Sequence, residues 1–210
     1  FYDSVTPFAV GGQPMQIYYL NTKGISGGNS SAMVLIRYYS SVVCWIILGG
    51  ALMIYGAAKG VLDGVSGGTV LKVTGWVGIA VNLIIPVFMS KLTYGVVWLG
   101  FKLKIVKDIP KATARATKIV SDFKTSFAVM ATSPLKLVLL ILVSFAEAAL
   151  TFAIPFFVMK AFNCNVDGMA LTVMVLNSFA TFGVSFIPTP GNSGVVEGMG
   201  ALAFSAAAGA

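Results

Sequence analysis

The chain has 210 residues, 57% of them hydrophobic and only 10% charged, with a mean hydropathy of +0.90 and a formal net charge of +7. A soluble domain carries about 25% charged residues, so this composition excludes an ordinary soluble fold and fits an all-α integral membrane protein, a polytopic helix bundle. Histidine is absent, which removes the commonest general base and metal ligand.

Residues 1–20 contain Thr6-Pro-Phe-Ala-Val-Gly-Gly-Gln-Pro14 and then Met-Gln-Ile-Tyr-Tyr-Leu20. Two prolines and the pair Gly11-Gly12 interrupt an apolar segment too short to span, which predicts a re-entrant or discontinuous helix. A glycine-rich polar turn over 21–30 carries Lys23. The first span is predicted from Ser31 to Ala57, long enough to cross roughly 30 Å of hydrocarbon at about 1.5 Å per residue. Arg37 lies about two turns inside it, either snorkelling to the near interface or meeting an anionic headgroup.

Lys59 to Lys72 is Gly/Ser-rich, carries Asp63 and reads as a connection outside the membrane. A second span follows from Val73 to Phe101, with Asn82, Pro86 and Lys91 inside it. Seven of the 14 Lys and Arg then fall between Lys102 and Lys124, offset by Asp108 and Asp122. The spacing Ile105, Ile109, Ala112, Ala116, Ile119, Phe123, Phe127 marks one helical face. Residues 102–133 therefore read as a basic amphipathic loop or helix on the anionic cytoplasmic leaflet. Positive-inside bias explains this cluster better than a nucleic-acid partner, and none is expected.

Ser133-Pro134 opens a third span reaching Lys160, with proline at a permitted first-turn position and Glu147 near the centre. A carboxyl there costs several kcal/mol unless paired, hydrogen-bonded or protonated, which marks Glu147 as a candidate site residue. Asn163 to Asp167 is a short connection. Gly168 to Ile187 reads as a fourth span whose Thr172, Asn177, Ser178, Thr181 and Ser185 suit helix–helix hydrogen bonds or a polar lining. With 102–133 cytoplasmic, the four spans alternate, and both short connections lie outside.

The stretch Phe186-Ile-Pro-Thr-Pro-Gly-Asn-Ser-Gly-Val-Val-Glu197 breaks the chain a second time. Such backbone survives in a bilayer only where protein buries it or where it lines a watery cavity. A small-residue-rich helix over 194–209 follows. Both breaks leave unpaired N–H groups at the start of a short helix, and such starts attract anions. Gly/Pro-interrupted segments in two halves of a chain point to a transporter site near the midplane. The predicted architecture is thus about four full spans plus two broken or re-entrant helices in a single transmembrane domain, 1–210. Because the chain begins at Phe1 rather than Met, it is expected to be a piece of a longer protein.

The first break, its glycine-rich turn and the span with a basic residue near its start resemble one hallmark of the lysylphosphatidylglycerol synthase transmembrane (flippase-like) family. Pro188-Thr-Pro-Gly-x-x-Gly-x-x-Glu197 resembles the other. The resemblance covers essentially the whole chain, with the basic loop between the two motifs, and includes the flippase half of the bacterial multiple peptide resistance factor. Asn192-Ser193 departs from the pattern, where relatives have a second glycine and an apolar residue; asparagine tolerates left-handed backbone.

What the resemblance implies is movement of an anionic or aminoacylated phospholipid, or of a polyprenyl-phosphate-linked lipid, across a bacterial cell membrane. Arg37 would meet the lipid phosphate, supported by Thr6, Pro7, Gly11, Gly12 and Gln13 at the first break and by Pro188, Thr189, Pro190, Gly191 and Gly194 at the second. Glu147 or Glu197 would meet a cationic headgroup or relay a proton. Two cysteines, Cys44 and Cys164, make neither a disulfide framework nor a metal site, and no cofactor or metal is expected. No Gly-x-x-x-x-Gly-Lys-Ser/Thr motif is present, so a nucleotide-driven motor would be a separate chain. The expected partners are the lipid itself and either a second copy of the chain or a separate synthase. The alternatives are a lipid-modifying transferase, which the missing histidine and soluble domain disfavour, and a small-solute transporter using the same broken helices.

Overall fold

The computed structural model describes residues 12–65, 67–84, 133–185, 187 and 192–208, together with single positions at 114, 117, 121, 125 and 128. These residues form helices and turns, without a strand. In chain order the helices are α1 (Gly12–Thr22), α2 (Gly27–Ala58), α3 (Gly68–Ile84), α4 (Pro134–Ala161), α5 (Ala170–Val184) and α6 (Val195–Ala208).

Two of them, α2 with 32 residues and α4 with 28, are long and apolar enough to cross a membrane. At 1.5 Å per residue they extend about 48 and 42 Å. Among the described residues, two of the four full spans expected from sequence are long enough to cross; α5 has only 15 residues, about 22 Å, and is too short to cross alone. In α3 the described part stops at Ile84, so the predicted remainder to Phe101 lies outside the described residues, as does most of 102–133. Within that segment Ala114, Thr117, Ser121, Thr125 and Ala128 are helical and exposed.

Helix boundaries follow backbone chemistry. Helix α2 starts at Gly27, four residues before the predicted Ser31, and buries Ser30 completely. A glycine costs about 1 kcal/mol in a helix, and packing of α2 on α1 overrides that preference here. The predicted connection 59–72 is likewise shorter, because α3 already begins at Gly68. A side chain on Gly68 would run into the Leu62 carbonyl, so glycine is there for close approach rather than flexibility.

At the far end of α2, the Gly60 N–H bonds to the Ala57 carbonyl and the Val61 N–H to Gly56, with Gly60 at φ 65°. Helix α4 ends the same way, with Asn163 at φ 56° in the glycine position and Cys164 N–H bonded to the Met159 carbonyl. Both are Schellman motifs, which reverse the chain and satisfy the orphan carbonyls of the last turn. Each hairpin adds one ion pair, Lys72 with Asp63 and Lys160 with Asp167.

Helix α5 sits at the centre, with nine buried residues among its 15. Its neighbours reach it through glycines. Gly49 of α2 faces Phe182 and Phe152, Gly56 faces Val175, and on α3 Gly75 faces Phe179 and Gly78 the Phe182 carbonyl. The order of these contacts sets the directions: α2 runs against α5 and α3 with it, while Asn177 on Thr151 and Lys160 on Asp167 across the short turn set α4 against α5 as well. Small residues at helix contacts let backbones approach closely, the usual basis of association where the surroundings are as apolar as the side chains.

The outer surface is apolar. On α4, Leu135, Leu142, Val143, Leu150 and Phe157 are each about 60–70% exposed. Water would penalise such a face, whereas hydrocarbon does not.

Pro155 lies inside α4. Proline lacks an N–H, so the carbonyl four residues earlier, on Thr151, loses its helical donor. The Asn177 side chain of α5 fills that role, donating to the Thr151 carbonyl at 3.1 Å and the Phe152 carbonyl at 3.3 Å. A neighbouring helix thus repairs the break, as a bilayer demands. Asn177→Leu is expected to destabilise the protein by about 0.6–2 kcal/mol in thermal unfolding. Adding Pro155→Ala should recover most of that loss by restoring the helical bond.

Candidate functional site

A cavity of about 400 Å³ opens between α1, α2, α3, α4 and α5. Its apolar wall includes Val34, Val42, Trp45, Ile46 and Phe182, and Trp45 is braced by Phe152 at a ring separation of 5.6 Å. The other lining groups are polar, and helical spacing explains how they converge. Arg37, Tyr38 and Ser41 share one face of α2, Arg37 and Ser41 being four residues apart. Gln13 and Gln16 are three apart on α1. Asn82 of α3 and Thr181 and Ser185 of α5 complete the polar side, with Glu147 of α4 opposite Arg37.

The Arg37 guanidinium lies 3.9 Å from Glu147 Oε1, while Ser41 Oγ donates to Glu147 Oε2 at 3.1 Å. A separation of 3.9 Å exceeds a hydrogen bond, so the attraction is coulombic and the guanidinium fork is not consumed by its partner. The side chains retain 61% and 43% of their accessible surface. The pair is open to an incoming group rather than sealed between helices.

Arg37 is the eleventh residue of α2 and Glu147 the fourteenth of α4. Centring each helix on a hydrocarbon core of about 30 Å puts the pair roughly 6–14 Å inside it. At that depth unpaired charges are costly, and opposite partners offset one another.

On the α3/α5 side, Asn82 Nδ2 donates to Ser185 Oγ and the Gly78 carbonyl, both at 2.9 Å. Ser185 passes its own proton to the Phe182 carbonyl at 2.8 Å. These groups are mutually satisfied and shape the wall. Gln13 Oε1 is different: it is buried and accepts no hydrogen bond among the described residues. An acceptor in that state suits an occupant bearing N–H or O–H groups.

The structure brings Gln13, Arg37 and Glu147 of the sequence-derived candidates into one cavity, with Gly12 beside it as the first residue of α1. Thr6, Pro7 and Gly11 lie outside the described residues, as do Pro188, Thr189, Pro190 and Gly191. The expectation that both breaks meet over one headgroup rests largely on those positions. Sequence reasoning missed Gln16, Tyr38 and Ser41, although the i, i+3 offset from Gln13 to Gln16 and the i, i+4 offset from Arg37 to Ser41 carried the signal for two of them.

Gly194 and Glu197 do something else. Glu197 Oε2 accepts the Gly194 N–H at 2.6 Å, the carboxylate half of a capping box at the start of α6. Asn192 is left-handed at φ 57°, the backbone state that tolerance of asparagine at this departure from the family pattern requires. Glu197 does not line the cavity. Glu197→Ala is expected to cost about 0.5–2 kcal/mol of stability through loss of the cap.

No curated protein and no solved structure matches the chain. A family model, however, matches residues 1–210 in full: the lysylphosphatidylglycerol synthase TM region. The match, the two long apolar helices and the apolar outer surface together make this a helical membrane protein, and the chain belongs to the lysylphosphatidylglycerol synthase transmembrane-region family.

Proposed function

We propose that the protein is a lipid flippase, which carries a phospholipid headgroup, anionic or aminoacylated, or a polyprenyl-phosphate-linked one, past the hydrocarbon core of a bacterial plasma membrane. The observation that carries this reading is the accessible Arg37–Glu147 pair in a polar cavity at a depth where bare charge is costly. Arg37 supplies a planar fork matched to a phosphate, and Glu147 supplies an acceptor for a headgroup amine. Gln13, Gln16 and Ser41 offer neutral hydrogen bonds that replace water around the polar head. Apolar tails stay in the bilayer along the outer faces of α2 and α4.

In this reading the protein performs no covalent chemistry. It is multi-pass, with the basic stretch 102–124 on the cytoplasmic side and the charge-balanced hairpins Asp63–Lys72 and Lys160–Asp167 on the other. The test is reconstitution into liposomes carrying phosphatidylglycerol or its lysyl ester with a fluorescent acyl chain. Bleaching from outside should reach both leaflets when the protein is present and only the outer leaflet when it is absent. Protection of the inner leaflet at full protein incorporation would refute the proposal. Formation of an aminoacylated lipid by the chain alone would instead favour a transferase.

A further inference from the structure

We propose that the cavity selects lipids whose headgroup carries an N–H or O–H donor beyond the phosphate, with Gln13 as the specificity-determining residue. The trimethylammonium headgroup of phosphatidylcholine is turned away. This rests on the flippase reading of the same site and adds which headgroups the site admits.

Several donors in the lining are already committed inside the protein. Ser41 Oγ donates to Glu147 Oε2, Asn82 Nδ2 to Ser185 Oγ and the Gly78 carbonyl, and Ser185 Oγ to the Phe182 carbonyl. What stays open is acceptor capacity. Gln13 Oε1 is buried and takes no hydrogen bond among the described residues. Glu147 Oε1 lies 3.9 Å from the Arg37 guanidinium, too far to be hydrogen-bonded by it.

Helix α1 explains how Gln13 comes to be there. Gln13 is the second residue of that helix, Gln16 shares its face three residues on, and α1 packs against α2, so both amides line the cavity. The terminal torsion of a glutamine is soft, and a small turn of the amide presents Oε1 to an occupant. With its phosphate at Arg37, a headgroup ending in a donor pairs that oxygen. A headgroup without one seals the oxygen in unpaired, and a buried orphan acceptor costs more than an ordinary hydrogen bond gains. Such a site rejects a ligand that cannot donate more sharply than an apolar pocket rejects one by size.

The lipids in the flippase reading meet this requirement. The glycerol of phosphatidylglycerol offers hydroxyls, its lysyl ester offers ammonium N–H groups, and a sugar on a polyprenyl phosphate offers hydroxyls. The quaternary nitrogen of choline offers none. Tyr38 and Trp45 also line the cavity, and aromatic faces attract quaternary cations. A site governed by those rings would favour choline instead, which makes the two readings opposite in sign.

The experiment is calorimetric titration of the purified full chain in detergent with dihexanoyl phosphatidylethanolamine, its N-methyl derivative and dihexanoyl phosphatidylcholine. All three share one phosphate, one positive nitrogen and the same tails. The first two keep N–H donors enough for Gln13 and Glu147 together, and the third has none. The first methyl should change affinity by less than about twofold. Phosphatidylcholine should bind about tenfold or more weakly than either, the worth of one hydrogen bond at a buried acceptor.

In Gln13→Met, which keeps the length and removes the acceptor, that preference should shrink about tenfold. Gln13→Ala asks the same question if the methionine variant does not fold, and the wild-type series decides the donor requirement by itself. A preference unchanged in a folded Gln13 variant would overturn the assignment to Gln13. Equal binding of all three lipids, a loss already present at the first methyl, or tightest binding of phosphatidylcholine would overturn the inference and leave the flippase reading standing. Binding of none of them, nor of dihexanoyl phosphatidylglycerol, would overturn both.

Discussion

Arg37→Ala is expected to reduce lipid transfer in proteoliposomes roughly 10- to 100-fold, the equivalent of one charge-assisted hydrogen bond worth about 1.5–3 kcal/mol. The variant should still fold, because Ser41 continues to donate to the carboxylate left behind and that side chain keeps 43% of its accessible surface. Arg37→Lys should recover only part of the activity: it keeps the charge but not the two-pronged geometry that matches a phosphate. The reverse deletion is predicted to behave differently. Glu147→Ala strands the Arg37 guanidinium without its carboxylate, about 6 Å inside the hydrocarbon. That variant should lose melting temperature as well as transfer. Measuring both quantities for both variants separates a headgroup contact from a structural ion pair, since a purely structural pair would make the two losses run in parallel.

Gly78→Leu is expected to have the largest effect on stability. A β-carbon at this position meets the carbonyl oxygen of Phe182, a backbone atom that cannot rotate aside, and the Ser185 hydroxyl at 3.2 Å. Helix α3 would have to withdraw from α5, breaking the Asn82–Ser185 bond that closes one wall of the cavity. Overpacking of a tight contact costs about 1–3 kcal/mol, and more where main chain must move. Gly78→Ala introduces the same β-carbon against the same carbonyl, so it should already cost about 3 kcal/mol or more in thermal unfolding. Gly198→Ala, where nothing lies within 4 Å of the added carbon, should be neutral or slightly stabilising. Equal melting temperatures for the Gly78 and Gly198 variants would show that the α3–α5 contact is not the close one described.

The parts of the site that were legible in the sequence are those marked by cost. An arginine and a glutamate inside long apolar runs stand out because bare charge in hydrocarbon is expensive, and these two meet across the cavity. Ser41 and Gln16 carry no such mark; they enter the site only because they share a helical face with Arg37 and Gln13. Asn177 was recognisable as a helix–helix hydrogen-bonder, but its acceptor was not. That acceptor exists because Pro155, on another helix, frees the Thr151 carbonyl, and only packing reveals the pairing.

Glycine misled in a consistent way. Gly27 and Gly68 looked like turn residues, and both are helical, because local propensity differs by only about 1 kcal/mol between glycine and alanine; at Gly68 the close approach to the Leu62 carbonyl outweighs it. Gly49, Gly56, Gly75 and Gly78 bring α2 and α3 close against α5, which at 15 residues is shorter than the span over 168–187 that its composition suggested.

The most direct measurement is a density map of the protein in lipid nanodiscs containing phosphatidylglycerol and its lysyl ester. The proposal predicts headgroup density in the cavity lined by Gln13, Arg37, Ser41 and Glu147, with a phosphate within hydrogen-bonding distance of Arg37, about 2.7–2.9 Å. A map in which lipid phosphates lie only at the two membrane surfaces, while Arg37 and Glu147 close directly on each other, would contradict it.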